Sequence, residues 1–161
     1  RGAQRLGTSI YEVNEFDASI VHPALGVIQV PLSVVDRRFS ERVVVQAHAR
    51  GMQVLARSVF LQGVVLANPD ALPAQVGHLA AHVKSVHDLA LAHGITVIDL
   101  ALAWVKHQRV DGVIVGASTP RELEQILEAW KRDVPIDAVK HVDSLTPPSW
   151  SDVDPRLWRA R

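Results

Sequence analysis

The stretch VDGVIVGASTPRELEQIL, residues 110–127, sets small residues ahead of a helix start. Thr119 suits an N-cap, Pro120 suits the first helical position, and Glu122 completes a capping box three residues after the cap. Gly116, Ala117 and Ser118 leave room for another group to approach the backbone. Unpaired N–H groups and the positive end of the helix dipole would then face an anion such as a phosphate. The same residues also make an ordinary well-capped helix, and the local pattern leaves both readings open.

A second group is Arg57-Ser58-Val59-Phe60-Leu61-Gln62-Gly63, at the C-terminal end of an expected strand. In (β/α) barrels that end of a strand faces ligand. An arginine within an apolar run needs a partner, because burying it alone is costly. A ligand phosphate and a structural carboxylate would serve equally. Gln29, inside GVIQVPL, offers a donor and an acceptor to a polar ligand group, or is a satisfied structural amide. Ser9, closing RLGTS, has the same two readings. The eight histidines are scattered. His78 and His82 lie four apart on one expected helix, but no H-E-x-x-H surrounds them, so a solvated face is expected and no metal site. His22, His48, His93, His107 and His141 show no partner pattern. Glu41-Arg42 and Arg121-Glu122 read as solvated faces, and Asp36-Arg37-Arg38 as the anchor of a strand-to-helix loop.

These residues need elements to hold them. RLGTS (5–9) reads as a strand tip, and 12–20 as a weak helix that His22-Pro23 ends. GVIQVPLSVV (26–35) is a near-continuous apolar run suited to a strand buried on both faces, with Pro31 near its C-terminal end. FSERVVVQAHARG (39–51) is a helix with Ser40 as its cap and Gly51 just past its end. MQVLARSVF (52–60) is the next strand, followed by a loop over 62–73. Apolar spacing gives a helix over 76–93 closed by Gly94, and T-x-x-D at Thr96 and Asp99 opens a helix to about His107. VDGVIVG (110–116) is a strand, and Thr119 opens the last expected helix. Residues 141–161 form a surface tail read as an ordered loop. The expected division is 1–140 as one α/β unit and 141–161 as the tail.

This β/α alternation requires parallel strands joined by right-handed crossovers, in an open sheet or a (β/α) barrel. Neither G-x-G-x-x-G nor G-x-x-x-x-G-K-[ST] is present. With 161 residues the chain supports one core. Lys plus Arg and Asp plus Glu are both 17, which gives no reason to expect a nucleic-acid or anionic-membrane partner. The absence of cysteine excludes disulfides and thiolate chemistry. No apolar run approaches the roughly 20 residues of a membrane helix, and a soluble cytoplasmic protein is expected. The chain opens at Arg1 and enters a strand-like segment almost at once, so preceding sequence is expected.

In this order RLGTSIY, GVIQVPLSVVDRRF, VLARSVFLQGVVL, ITVIDLALAWV and VIVGASTPRELEQIL resemble the aldo/keto reductase family. They are similar to the second half of that family's (β/α)8 barrel, from the end of strand five through strand eight, over residues 5–158. The ARSVFLQG segment and the DPRLW tail resemble bacterial members linked to surface-polysaccharide biosynthesis. The resemblance implies an oxidoreductase that transfers hydride between a nicotinamide cofactor, NAD or NADP, and a small carbonyl or alcohol substrate. It implies that Ser9 and Gln29 hold the nicotinamide carboxamide. Arg57 replaces an aromatic residue that stacks on the nicotinamide ring, and Ser58, Phe60 and Leu61 match the pyrophosphate-contacting loop. Gly116 and Ser118 match the adenosine end, Ser118 at the 2′-phosphate. Glu122 stands where the family uses Arg, Lys or Gln, and a carboxylate there repels a 2′-phosphate, which favours NAD. Gln125 and Ile126 replace the Glu-Asn pair that holds adenine.

The resemblance also implies a catalytic Asp, Tyr, Lys and His on the first half of the barrel, and nothing here matches them. The only tyrosine is Tyr11, with no lysine placed to tune it. A full barrel needs about 250 residues, so this chain is expected to be the cofactor-binding half and inactive alone. Its edge strands, RLGTS and VDGVIVG, are expected to be covered by an N-terminal half or by a second copy. Two alternatives stand beside this: a non-catalytic nucleotide-binding or scaffold module, and the phosphate-binding half of another barrel enzyme.

Overall fold

A computed structural model describes residues 5–39 and 41–158, excluding the side chains of Glu41 and Arg42. The expected Ser40 cap and the Glu41-Arg42 face therefore lie outside what is described. Four parallel strands form one sheet in the order β1-β2-β3-β4: β1 (Leu6–Ser9), β2 (Leu25–Pro31), β3 (Gln53–Arg57) and β4 (Gly112–Val113). Helix α1 (Val13–Ile20) joins β1 to β2, and α2 (Glu41–Ala49) joins β2 to β3. Two helices, α3 (Ala80–Ala92) and α4 (Val97–His107), lie between β3 and β4. After β4 come α5 (Pro120–Lys131) and α6 (Ile136–Ser144). Four parallel β/α units in this order are the architecture of half a (β/α)8 barrel, as the sequence implied.

β2 and β3 do not bury both faces. Ile28, Val30, Val54 and Ala56 are buried beneath the helices, while Val27, Gln29, Leu55 and Arg57 alternate with them and are half-exposed. Continuous apolarity in β2 suggested a strand covered on both sides, but no second layer packs on this face within the described residues. β2 is also shorter than expected. Pro31 ends it, Leu32 gives one more bond to the Arg57 carbonyl (3.0 Å), and a Ser33–Asp36 turn follows. β3 stops at Arg57 because Ser58 enters the left-handed region with φ of 57°. β4 pairs over two residues rather than seven, flanked by Asp111 N–H to Val54 O (2.9 Å) and Ile114 N–H to Ala56 O (2.7 Å). β1 and β2 approach closely at Gly7, where a Cβ would lie 2.9 Å from the Val27 carbonyl oxygen.

Thr96 and Asp99 form the expected capping box of α4. Trp104 on that helix is fully buried, and its Nε1–H donates to Asp143 of α6 at 2.9 Å. Residues 74–79 form a 3₁₀ turn ahead of α3 instead of its first turn. Helix α6 was not expected. Its buried Ala138, Val139 and Val142 repeat at helical spacing, and the expected 140/141 division falls inside it. The tail beyond is anchored: Asp154 is fully buried, and its carboxylate accepts three bonds from the Arg156 guanidinium, at 2.9, 3.0 and 2.6 Å. His78 and His82 also hold the tail, facing the carbonyls of Asp152 (3.4 Å) and Thr146 (3.1 Å), where a solvated face was expected.

Candidate functional site

The C-terminal strand ends carry two adjacent groups of the expected site residues. The first lies on the half-exposed face of the sheet. Ser9 and Gln29 are register partners, and the Ser9 hydroxyl donates to the Gln29 side-chain oxygen at 3.0 Å. The amide nitrogen of Gln29 has no partner among the described residues. Arg57, last in β3, donates to Ser9 Oγ (3.3 Å), to Ser58 Oγ (3.1 Å) and to the Ile10 carbonyl (3.0 Å). Its guanidinium carbon lies 4.0 Å from the centre of the Tyr11 ring, and that of Arg156 lies 4.2 Å from the same centre. The sequence left Arg57 to pair with a phosphate or a carboxylate. Among the described residues it has no carboxylate partner but hydroxyls, a carbonyl and an aromatic face, a set that satisfies an arginine without neutralising it.

Tyr11 and Arg156 were missed as neighbours of Arg57, since 99 positions separate Arg57 from Arg156. Tyr11 is placed by the start of α1, where Glu15 accepts the N–H groups of Tyr11 (2.7 Å) and Glu12 (2.9 Å). Those two N–H groups hold the Glu15 carboxyl below its ordinary range. Arg38, bidentate on buried Asp36 at 2.8 Å, also donates to the Tyr11 carbonyl at 3.1 Å. The Asp36-Arg37-Arg38 loop is thus the anchor that the sequence suggested.

The second group lines an open cavity of about 510 Å³ between the loop after β3 and the start of α5. Ser58, Phe60, Gly116, Ser118, Glu122 and Gln125 all lie on its wall. Leu61 does not; it is buried beneath the loop, where it anchors the turn. Ser9, Gln29 and Arg57 are outside the cavity lining. From Ser58 to Gly63 the chain turns sharply, with positive φ at Ser58 (57°), Leu61 (46°), Gln62 (54°) and Gly63 (87°). Three non-glycine residues in the left-handed region are costly, and such strain concentrates where backbone must face a ligand.

At the other wall the capping box is displaced by one residue. The Glu122 N–H donates to Thr119 Oγ1 (3.2 Å), but the Glu122 carboxylate accepts from Ser118 N–H at 2.6 Å. One N–H group at this helix start is therefore taken by a carboxylate of the chain. Among the described residues, Glu122 is the only charged one on the cavity wall. The cavity and the turning loop leave room for a ligand at the strand ends, and beside them the Gln29 amide nitrogen is unpartnered among the described residues. A phosphate at Ser118 would meet the Glu122 carboxylate.

The chain matches the aldo/keto reductase family over residues 9–147. It belongs to that family. Solved structures agree on the fold. The holo form of an aldo-keto reductase from Bacillus halodurans superposes with a TM-score of 0.75 at 20% identity, over 97% of this chain and 54% of that one. A glycerol dehydrogenase from Gluconobacter oxydans gives 0.66 at 22% identity, over 88% and 48%. An aldo-keto reductase from a Medee basin deep-sea metagenome library gives 0.61 at 16%, again over 88% and 48%. The chain thus spans about half the length of these aldo/keto reductase structures. No curated protein matches it. No single helix among the described residues is long and apolar enough to cross a membrane.

Proposed function

We propose that this chain is the cofactor-binding half of a nicotinamide-dependent aldo/keto reductase, acting with a companion half that carries the catalytic Asp, Tyr, Lys and His. The observation that carries the reading is the cavity between Ser58–Gly63 and Gly116–Gln125, at the strand ends where barrel enzymes hold ligands. Ser58 and Phe60 shape the pyrophosphate wall, with Leu61 anchoring the turn beneath it, and Gly116, Ser118, Glu122 and Gln125 shape the adenosine wall. Ser9 and Gln29 present an amide and a hydroxyl to the nicotinamide carboxamide. The cofactor supplies the hydride; this chain's residues bind and orient it. Glu122 supports NAD over NADP, since its carboxylate accepts a ribose hydroxyl and repels a phosphate.

Exposed apolar side chains at both ends of the sheet support the companion. Leu6 of β1, Val13 of α1 and Val21 just after it are exposed at one end, and Ile114 with Leu123 and Leu127 of α5 at the other. Parallel edges with apolar flanks need cover, from an N-terminal half or a second copy. The substrate is a small carbonyl or alcohol compound, and the setting is a soluble, cytoplasmic bacterial enzyme.

A non-catalytic nucleotide-binding module is the second reading. Arg57 favours it, because its guanidinium is committed to the Tyr11 ring at the position implied to stack on nicotinamide. The test is an NMR titration of the labelled chain with NADH, assayed beside carbonyl reductase activity. Both readings expect saturable amide shifts at Ser58–Gly63 and Gly116–Gln125. Turnover only when the companion half is added selects the first. Shifts elsewhere alone would refute both.

A further inference from the structure

The opposite end of the sheet, where strands begin, holds a groove of about 1020 Å³ between α2, the end of α4 and α6. His48, His107, Arg109 and Lys140 line it, with Asp143 the one acidic residue on its wall among the described residues. Arg109 is placed there at a cost. Helices α2 and α3 are followed by Gly51 and Gly94 with φ of 70° and 65°, the residue type suited to a left-handed position past a helix end. Helix α4 is followed by Arg109 with φ of 62°. Glycine would adopt that backbone without strain, and arginine does not.

The Arg109 N–H closes the helix end on the Lys106 carbonyl at 3.2 Å, but no side-chain contact among the described residues repays the cost. The side chains of Arg109 and Lys140 have no hydrogen bond or ion pair among those residues. The acids close by are engaged. Asp143 accepts Trp104 Nε1–H at 2.9 Å and lies in the field of Arg37. Asp111 accepts the Val54 N–H at 2.7 Å and faces His48 Nε2 at 2.8 Å. The C-terminal dipoles of α2 and α4 favour cations at this end of the fold. They account for His48, and for Lys106 and His107 in the last turn of α4. They do not account for a left-handed arginine beyond that turn, or for Lys140 inside α6.

We propose that this groove binds a multivalent oxyanion of the phosphate class, with Arg109 and Lys140 as its two cations. Arginine supplies a planar fork of donors to such an oxyanion and lysine a compact charge. The groove volume suits a ligand of mononucleotide size rather than a bare ion. The site is remote from the cofactor cavity and independent of its assignment.

Pyrophosphate titrated into the labelled chain at low salt tests this by NMR. Saturable shifts are expected at His107, Arg109 and Lys140, weakening as salt is added. Arg109→Gly is the informative variant, because it removes the cation and the strain together. It is expected to weaken binding about tenfold while raising the thermal midpoint by about 2–4 °C. Lys140→Ala is expected to weaken binding with no such rise. Shifts that do not saturate, or that persist unchanged in Arg109→Gly, would overturn the proposal.

Discussion

The Glu122 carboxylate accepts the Ser118 N–H at 2.6 Å, one residue beyond the N-cap it was expected to serve. A negative group of the chain itself thus sits where an anionic ligand would dock at the start of α5. Glu122→Arg is expected to remove this competition and supply a cation, tightening NADPH by about tenfold with little change for NADH. Isothermal titration with both cofactors measures it. Equal affinities before and after the change would reduce Glu122 to a capping residue.

In the proposed assignment Arg57 lies at the nicotinamide end. Its charge would then sit beside a ring that is cationic when the cofactor is oxidised, and is expected to disfavour NAD⁺ relative to NADH. Arg57→Met keeps the length and removes the charge, and is expected to tighten NAD⁺ more than NADH, by about 1 kcal/mol. The ratio of the two dissociation constants reads this directly. A ratio unmoved by the substitution would place the nicotinamide away from Arg57.

The tail has a pH dependence of defined sign. Hydrogen bonds from Arg156, with Arg38 nearby, hold the buried Asp154 carboxyl below its ordinary range. A depressed carboxyl contributes stability that is complete above the unfolded value near 4 and is lost as pH falls through the lower folded value. Urea midpoints measured from about pH 6 down to pH 3 should fall, and Asp154→Asn should be less stable at pH 6 with a shallower fall. Parallel curves for the two proteins would show that Asp154 contributes nothing to acid unfolding.

The exposed apolar ends of the sheet predict association. Sedimentation of the chain alone should show a concentration-dependent dimer or larger species, which a companion half would replace with a defined complex. Leu123→Glu with Leu127→Glu on α5 should shift the chain towards monomer without unfolding it, since both side chains are exposed. A monodisperse, fully folded monomer of the unaltered chain would argue that these edges need no cover.

Much of this was legible in the sequence because its signals were local. The T-x-x-D cap at Thr96 and Asp99, the glycines ending α2 and α3, and the Thr119-Pro120 start of α5 each depend on a few neighbouring residues. Ordered motifs then supplied the barrel half that the β/α alternation alone left undecided. Other features depend on pairs distant in the chain. The stacking of Arg57 and Arg156 on Tyr11, the His48–Asp111 contact and the Trp104–Asp143 bond have no local pattern. Helix α6 was masked because a short apolar repeat sits beside a proline-rich tail. The two-residue β4 and the open face of β2 follow from what packs against them, and apolar composition cannot report a missing neighbour.

The central claim is that the cavity between Ser58–Gly63 and Gly116–Gln125 holds a nicotinamide dinucleotide. Fluorescence titration of the purified chain with NADH and NADPH tests it most directly, with Ser58→Trp as a control that fills the cavity wall. Saturable binding of NADH, tighter than NADPH and lost in the control, is the expected result. No saturable binding of either cofactor, with or without a companion half, would contradict it.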